Sequence, residues 1–259
     1  MEERVALITG VSRRAGIAAA VARRFAADGY RLQLTGLPGY DEAQPYGGDP
    51  EGIPGLLAEL EQVTGDPDVT RFRAADLTSP TAPAELVETA VRAHGRLDVV
   101  VSAHTYSTET ALGTLDADEV DRHLVVNVRA NLLLAEAFAA AFRAGSGGRL
   151  VLFSSGQRLG PMPTELAYAA SKAGVENLTR QLSFLLMPRG ITVNCVNPGP
   201  TDTGWASAED LAAGGHLFPG GRWGQPDDAA RLVEWLCSVE GRWVTGQVID
   251  SEGGFNRYG

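Results

Sequence analysis

The stretch Val5-Ala6-Leu7-Ile8-Thr9-Gly10-Val11-Ser12-Arg13-Arg14-Ala15-Gly16-Ile17-Ala18 runs from an apolar segment through two glycines into alanine-rich sequence. A short unbroken apolar run reads as a strand buried on both faces, and the spacing after Gly16 predicts a helix. A strand that turns through glycines straight into a helix brings backbone N–H groups and the helix N-terminus within reach of a pyrophosphate. The same turn also serves plain strand-to-helix packing. Standing at the first β-to-α crossover, it points to a dinucleotide site.

Outward from this unit the pattern repeats. β-rich apolar runs recur at 5–9, 31–35, 69–74, 97–101, 149–153, 191–196 and 247–250, and helical spacing fills 17–28, 54–63, 82–94, 117–143, 166–187 and 226–238. Strict β/α alternation implies a seven-stranded parallel sheet covered by helices on both faces, a doubly wound α/β Rossmann fold. At 259 residues the chain is near the upper limit for one core, so a single domain over 1–259 is expected. Two stretches escape the alternation. The Pro/Gly-rich segment 38–54 reads as surface loop, whereas 204–222 follows the carboxyl end of a strand, where open α/β sheets bind ligands, and reads as a substrate lid.

A net charge of -10 weighs against nucleic acid, whose phosphates need a basic surface. Cys195 in a strand pattern and Cys237 in a helix read as two buried thiols of a reducing compartment. The histidines at 94, 104, 123 and 216 show no ligand spacing, so no metal is expected. No unbroken apolar run approaches the length of a membrane span, and no charged leader precedes the first strand. These features together predict a soluble cytoplasmic protein without a membrane partner.

Tyr168 and Lys172, in Tyr168-Ala-Ala-Ser-Lys172, lie four residues apart in a helical run and leave the same face. An ammonium close to a phenol favours the phenolate and lowers its pKa, which suits acid-base catalysis near neutrality. Around this pair the chain resembles the short-chain dehydrogenase/reductase family, most closely its 3-oxoacyl-carrier-protein reductase-like ketoreductases. The likeness covers nearly the whole length. It is carried by Thr9-Gly10, Asp76-Leu77, Asn127, Ser155, Tyr168, Lys172, Asn197-Pro198-Gly199, Arg222-Trp223-Gly224-Gln225-Pro226, Thr245-Gly246-Gln247 and Gly253-Gly254.

The resemblance implies that Ser155 and Tyr168 converge on a substrate carbonyl, that Lys172 binds the nicotinamide ribose and depresses the Tyr168 pKa, and that Asn127 holds a water in a proton relay. Hydride delivery builds negative charge on the carbonyl oxygen, so Tyr168 donates a proton and Ser155 stabilises the developing alkoxide. Strand alternation points the neighbouring Ser154 the other way. The cofactor is implied to contact Gly10, Ser12, Arg13, Arg14, Gly16, Ile17, Leu37, Asp76, Leu77, Ala103, His104, Tyr168 and Lys172, with Pro198, Gly199, Thr201 and Thr203 at the nicotinamide end. Residues 157–165 with Trp205, Leu217 and Phe218 are expected on the substrate side.

Three departures stand out. The glycine turn is two residues longer than the family's Thr-Gly-x-x-x-Gly-x-Gly, Ala18 replaces its last glycine, and Ser102-Ala103-His104-Thr105 replaces Asn-Asn-Ala-Gly. His104 reads as a packed histidine or, less simply, a catalytic one. The longer turn is similar to that of enoyl reductases of the same family, but the Tyr168–Lys172 spacing follows the ketoreductases. A non-catalytic NADP sensor or scaffold is a third reading.

NAD-binding Rossmann sites carry an acid roughly 20 residues past the glycine motif, on the ribose 2′-OH. Here that place is Gly36, followed by Leu37. With Arg13 and Arg14 as partners for a 2′-phosphate, NADP(H) is expected over NAD(H). Asp41 bending back to the ribose would favour NAD(H), and the two arginines also read as solvent-exposed charges. A small-molecule or acyl-thioester carbonyl substrate and a homotetramer, paired through the helices near 117–143 and 166–187, complete the expectations.

Overall fold

The computed structural model describes residues 3–258. The seven strands β1 (Val5–Thr9), β2 (Arg31–Leu34), β3 (Thr70–Phe72), β4 (Val99–Ser102), β5 (Gly148–Phe153), β6 (Ile191–Asn197) and β7 (Val248–Asp250) form one sheet in the order β3-β2-β1-β4-β5-β6-β7. Every neighbouring pair is parallel. The strand order reverses between β1 and β4, which opens a crevice at their carboxyl ends.

Side chains alternate across the sheet as the pleat requires. Ala6, Ile8, Val99, Val101, Val151 and Phe153 pack against α1 (Ile17–Ala27), α3 (Gly52–Thr64) and α9 (Pro226–Cys237). Leu7, Val100, Leu150, Leu152, Val193 and Cys195 face α4 (Ala82–His94), α6 (Ala130–Ala141) and α7 (Leu166–Leu186). The doubly wound α/β expectation is therefore met. Cys195 and Cys237 are buried and free.

Three local features differ from the sequence reading. Residues 38–54 are more than loop: α2 (Pro38–Glu42) starts on a proline that has no N–H to leave unsatisfied, and its Asp41 is buried. Residues 204–222 contain α8 (Ala208–Gly214), opened by a Ser207–Asp210 capping box. The single helix expected over 117–143 is α5 (Ala117–Leu124) and α6 joined by a π-helical turn, Val125–Arg129, that carries Asn127. Pattern spacing cannot register one extra residue inside a helix. The span Ala117–Ala141 is long and apolar enough to cross a membrane, although no unbroken apolar run predicted this. Its Leu134, Ala135, Phe138 and Ala139 pack in the core against the sheet, which gives part of the apolar side a protein partner.

Candidate active site

β5 ends at Phe153 and its chain continues extended through Ser155, which then starts a one-turn 3₁₀ helix, Gly156–Arg158. Ser154 is buried and donates to Glu176 Oε1 at 2.7 Å, so it faces away from the crevice. Ser155 follows in the turn, and its hydroxyl and that of Thr105 both act on the Tyr168 phenol in the direction that favours the phenolate. Tyr168 stands on the first turn of α7, and Lys172, one turn later, is buried with its Nζ 5.5 Å from the Tyr168 ring centroid. The three side chains thus meet at the carboxyl end of β5, beside the crevice.

The electrostatics differ from expectation. Burial raises the Tyr168 pKa to about 12, against the opposing hydrogen bonds of Ser155 and Thr105. The Lys172 ammonium donates to Phe153 O at 3.0 Å and lies on the ring side of Tyr168. Burial lowers Lys172 itself to about 8. The Tyr168 pKa is thus raised where a depression was expected, because desolvation of the buried phenol dominates. The phenol is protonated throughout the neutral range, the state a proton donor needs.

Asn127 is buried in the π turn, with both ends of its amide engaged. Oδ1 accepts from Tyr106 N at 2.7 Å, and Nδ2 donates to Tyr106 O and Ser171 Oγ, both at 2.9 Å. Asn131 Nδ2 donates to the Asn127 carbonyl at 2.6 Å. The side chain thus clamps the loop after β4 to α7, the helix of Tyr168 and Lys172.

His104 has a structural place. Its Nε2 lies 3.0 Å from Val126 O, an acceptor only, so that nitrogen carries the proton. Its Nδ1 then accepts, and Thr9 Oγ1 at 2.7 Å is the donor because Ser102 Oγ gives its single proton to Asn131 Oδ1 at 2.5 Å. Burial and the Lys172 charge lower its pKa to about 4, so it stays neutral. Thr9, Ser102, His104 and Asn131 tie β1, β4 and the π turn together. They do with different residues what the family's asparagine pair does, and the outward signal was the odd histidine itself.

At the nucleotide end, Gly10 has φ +79°, and a Cβ there would sit 2.6 Å from the Ala103 carbonyl, so only glycine fits. Gly16 caps α1 in extended conformation, Ile17 begins that helix, and Ala18 is buried. Ser12 borders a cleft of about 290 Å³ walled by Pro38, Glu42, Asp49, Ile53 and Phe72. Leu37 is exposed, Asp76 is exposed and accepts from Thr78 N at 2.8 Å, and Leu77 is core. At the far end Thr201 is buried, donating to Gly199 O at 3.1 Å in the turn that begins Pro198-Gly199.

Two parts of the charge argument are corrected. A Cβ on Gly36 would lie 2.0 Å from Val11 O, so the glycine is demanded by the approach of β2 to the turn and carries no information about the ribose. Arg14 is held by Asp49 at 3.0 Å, with Glu51 and Glu59 also on its guanidinium, so its charge is already paired. Burial raises the Asp49 pKa, but the hydrogen bonds it accepts from Arg14, Gly52 and Glu51 outweigh this and hold it well below the usual carboxylate range. Arg13 does reach across the crevice: it pairs with Asp41 at 3.0 Å, lies over the Tyr46 ring and donates to Thr203 O at 2.9 Å. Tyr40 of α2 contacts Ser107 at N and O, joining the 38–54 segment to the loop that Asn127 clamps. Sequence reading missed Thr105 and Tyr40. No group of three or more metal-ligating side chains occurs among the described residues.

Residues 10–256 match the family model described as enoyl-(acyl carrier protein) reductase. The chain is 38% identical over 258 residues to the uncharacterized oxidoreductase YjdA of Bacillus subtilis, covering 99% of this chain and 98% of that protein. It is 35% identical over 257 residues to a short-chain type dehydrogenase/reductase of Picea abies, covering 97% and 92%. Among solved structures, a dehydrogenase/reductase from Sinorhizobium meliloti 1021 superposes with a TM-score of 0.84 at 31% identity, covering 98% of this chain and 95% of that one. The chain belongs to the short-chain dehydrogenase/reductase family, whose members are oxidoreductases that use nicotinamide cofactors.

Proposed function

We propose that this oxidoreductase reduces a ketone or 3-oxoacyl group to an alcohol, with Ser155, Tyr168 and Lys172 as catalytic residues and Asn127 as the fourth member of the set. The observation that carries the reading is the placement of Tyr168 and Lys172 one turn apart on α7, the Lys172 Nζ 5.5 Å from the Tyr168 ring, beside Ser155 at the end of β5. A cofactor in the crevice would supply the hydride. Tyr168 would give the proton to the carbonyl oxygen, Ser155 would hold that oxygen as charge develops, and Lys172 would bind the nicotinamide ribose. Asn127 would act by holding the 105–106 loop to α7, the work in which its amide is already engaged. Thr201 and Thr203 would sit at the nicotinamide end, and Gly10, Ser12, Gly16 and Ile17 around the pyrophosphate.

Enoyl reduction is the second reading, favoured by the description of the matched family and by the longer glycine turn. The four-residue interval between Tyr168 and Lys172 supports the first. A screen of NADPH oxidation with small ketones, 3-oxoacyl thioesters and enoyl thioesters separates them: carbonyl substrates alone should turn over, and reduction of enoyl thioesters only would overturn the assignment.

NADP(H) is the cofactor form we propose, now on Arg13 alone. A 2′-phosphate would compete with Asp41 for its guanidinium, while the acidic Glu42 and Asp49 wall opposes it. kcat/KM for NADPH is expected to exceed that for NADH, with the preference lost in Arg13→Ala. Equal or better use of NADH by the wild type would assign Asp41 to the ribose.

We further propose a soluble, cytoplasmic homotetramer. Leu132 on α6 and Phe184 and Leu185 on α7 are exposed, apolar area beyond what one sheet face covers. A tetrameric mass is expected at micromolar concentration in solution, and a strictly monomeric mass would contradict it. Residues 204–222 are proposed as a lid on this one domain: Trp205, Phe218 and Trp223 cluster at its ends while the α8 helix buries nothing. Hydrogen exchange in 204–222 should slow on adding NADPH, and equally slow exchange in both states would remove the lid.

A further inference from the structure

Residues 251–258 fold back from β7 over the carboxyl ends of β5 and β6. Asn256 N donates to Leu217 O at 2.8 Å, and the Phe255 ring lies 5.0 Å from that of Phe218, which fastens this segment to 204–222. Beneath them Arg257 forms a two-pronged pair with Glu252, Nη1 to Oε2 at 2.8 Å and Nη2 to Oε1. Both are largely buried, with side-chain exposures of 17% and 7%. Glu252 Oε1 also accepts from Asn197 Nδ2, at the end of β6, at 2.8 Å.

Glycines flank this pair on both sides. A Cβ on Gly156 would meet Arg257 Nη2 at 2.0 Å, and one on Gly160 would meet its Cδ at 2.8 Å. A Cβ on Gly199 would lie 2.9 Å from the Glu252 side chain. Gly156 directly follows Ser155, and Gly199 lies in the turn assigned to the nicotinamide end. The guanidinium fork therefore rests on the peptide that carries Ser155, and its carboxylate partner rests on the cofactor turn.

We propose that the Arg257–Glu252 pair is a positioning element that sets Ser155 against Tyr168 and links that placement to the lid through Phe255 and Phe218. This rests on the carbonyl-reduction reading above. A planar, two-pronged pair fixes both partners in direction as well as distance. Removing one partner leaves a buried charge without its counterpart, so the loops it braces must rearrange. A misplacement of about 1 Å in a reacting group costs on the order of 100-fold in rate, and removing Arg257 acts on turnover first because the guanidinium rests on the Ser155 peptide while Glu252, against the cofactor turn, keeps its bond from Asn197.

The test compares Arg257→Ala, Gly156→Ala and their combination. Arg257→Ala is expected to lower kcat about 10-fold or more, with NADPH Kd within about twofold of wild type. Gly156→Ala is expected to be worse than Arg257→Ala, and the double variant to recover to the Arg257→Ala level, because the methyl group then occupies space the guanidinium has left. The rescue shows that the methyl group and the guanidinium share one space, and the loss of kcat without loss of NADPH affinity is the readout that a purely structural role would not give. Hydrogen exchange in the same proteins should quicken at 156–160 and 217–218 in Arg257→Ala, with β1 and α1 unchanged. Wild-type kcat and KM in Arg257→Ala, unchanged exchange at 156–160, or a uniform rise in exchange with parallel loss of NADPH affinity would each overturn the proposal. A wild type inactive on every carbonyl would refute the reductase reading instead, and the exchange comparison would still decide whether the pair braces the Ser155 loop.

Discussion

Tyr168→Phe is expected to lower the rate of carbonyl reduction by about 100- to 10,000-fold, the range a positioned general acid supplies. The substitution keeps the ring, and with it the packing of the first turn of α7, and removes only the proton donor that Ser155 and Thr105 hold. NADPH Kd should stay within a few-fold of wild type. The contrast between turnover and binding is the informative part, since a misfolded variant would lose both. More than a tenth of wild-type turnover in Tyr168→Phe would mean that the proton comes from elsewhere.

Lys172→Met carries the second large effect and a different signature. Lys172 is buried, donates to Phe153 O at 3.0 Å and titrates near 8 because burial disfavours its charge. Reduction by the wild type is therefore expected to hold below about pH 8 and decline above it, as the ammonium beside the ribose site is lost. Lys172→Met should weaken cofactor binding, reduce turnover and abolish that break. The stability sign follows from the same shift. The folded-state pKa of about 8 lies below the ordinary 10.5, so the folded protein binds fewer protons between those values. The cost of burying Lys172 is complete below pH 8 and lifts as pH rises towards 10.5. Denaturant titrations at pH 7 and pH 9.5 should show wild type gaining stability relative to Lys172→Met. A pH-independent difference, or a kcat profile with its break intact in the variant, would count against the assignment.

The parallel sheet was legible because two-faced burial leaves near-continuous apolar runs, as in Val5–Thr9 and Ile191–Asn197. The Tyr168–Lys172 face was legible because helical spacing alone puts them one above the other. What the sequence hid was set by contacts between distant segments. Gly36 looked like a missing carboxylate, yet its reason is the Val11 carbonyl where its Cβ would be. Arg14 looked like a phosphate ligand, yet Asp49, Glu51 and Glu59, far along the chain, hold it. The π turn at Asn127 leaves the apolar pattern intact while rotating one amide onto the Tyr106 backbone. His104 was visible as a departure, but its work as a tie needed Thr9 and Val126 in space, with Ser102 turned to Asn131.

The most direct measurement of the central claim follows the hydride itself. With NADPH deuterated at the transferable C4 position, a panel of ketones, 3-oxoacyl thioesters and enoyl thioesters is incubated with the enzyme and the products are read by mass spectrometry and NMR. The account predicts deuterium on the carbinol carbon of a newly formed alcohol, and none of that product with Tyr168→Phe. Deuterium delivered only to the β-carbon of an enoyl thioester, or no transfer to any substrate by protein that binds NADPH, would contradict it.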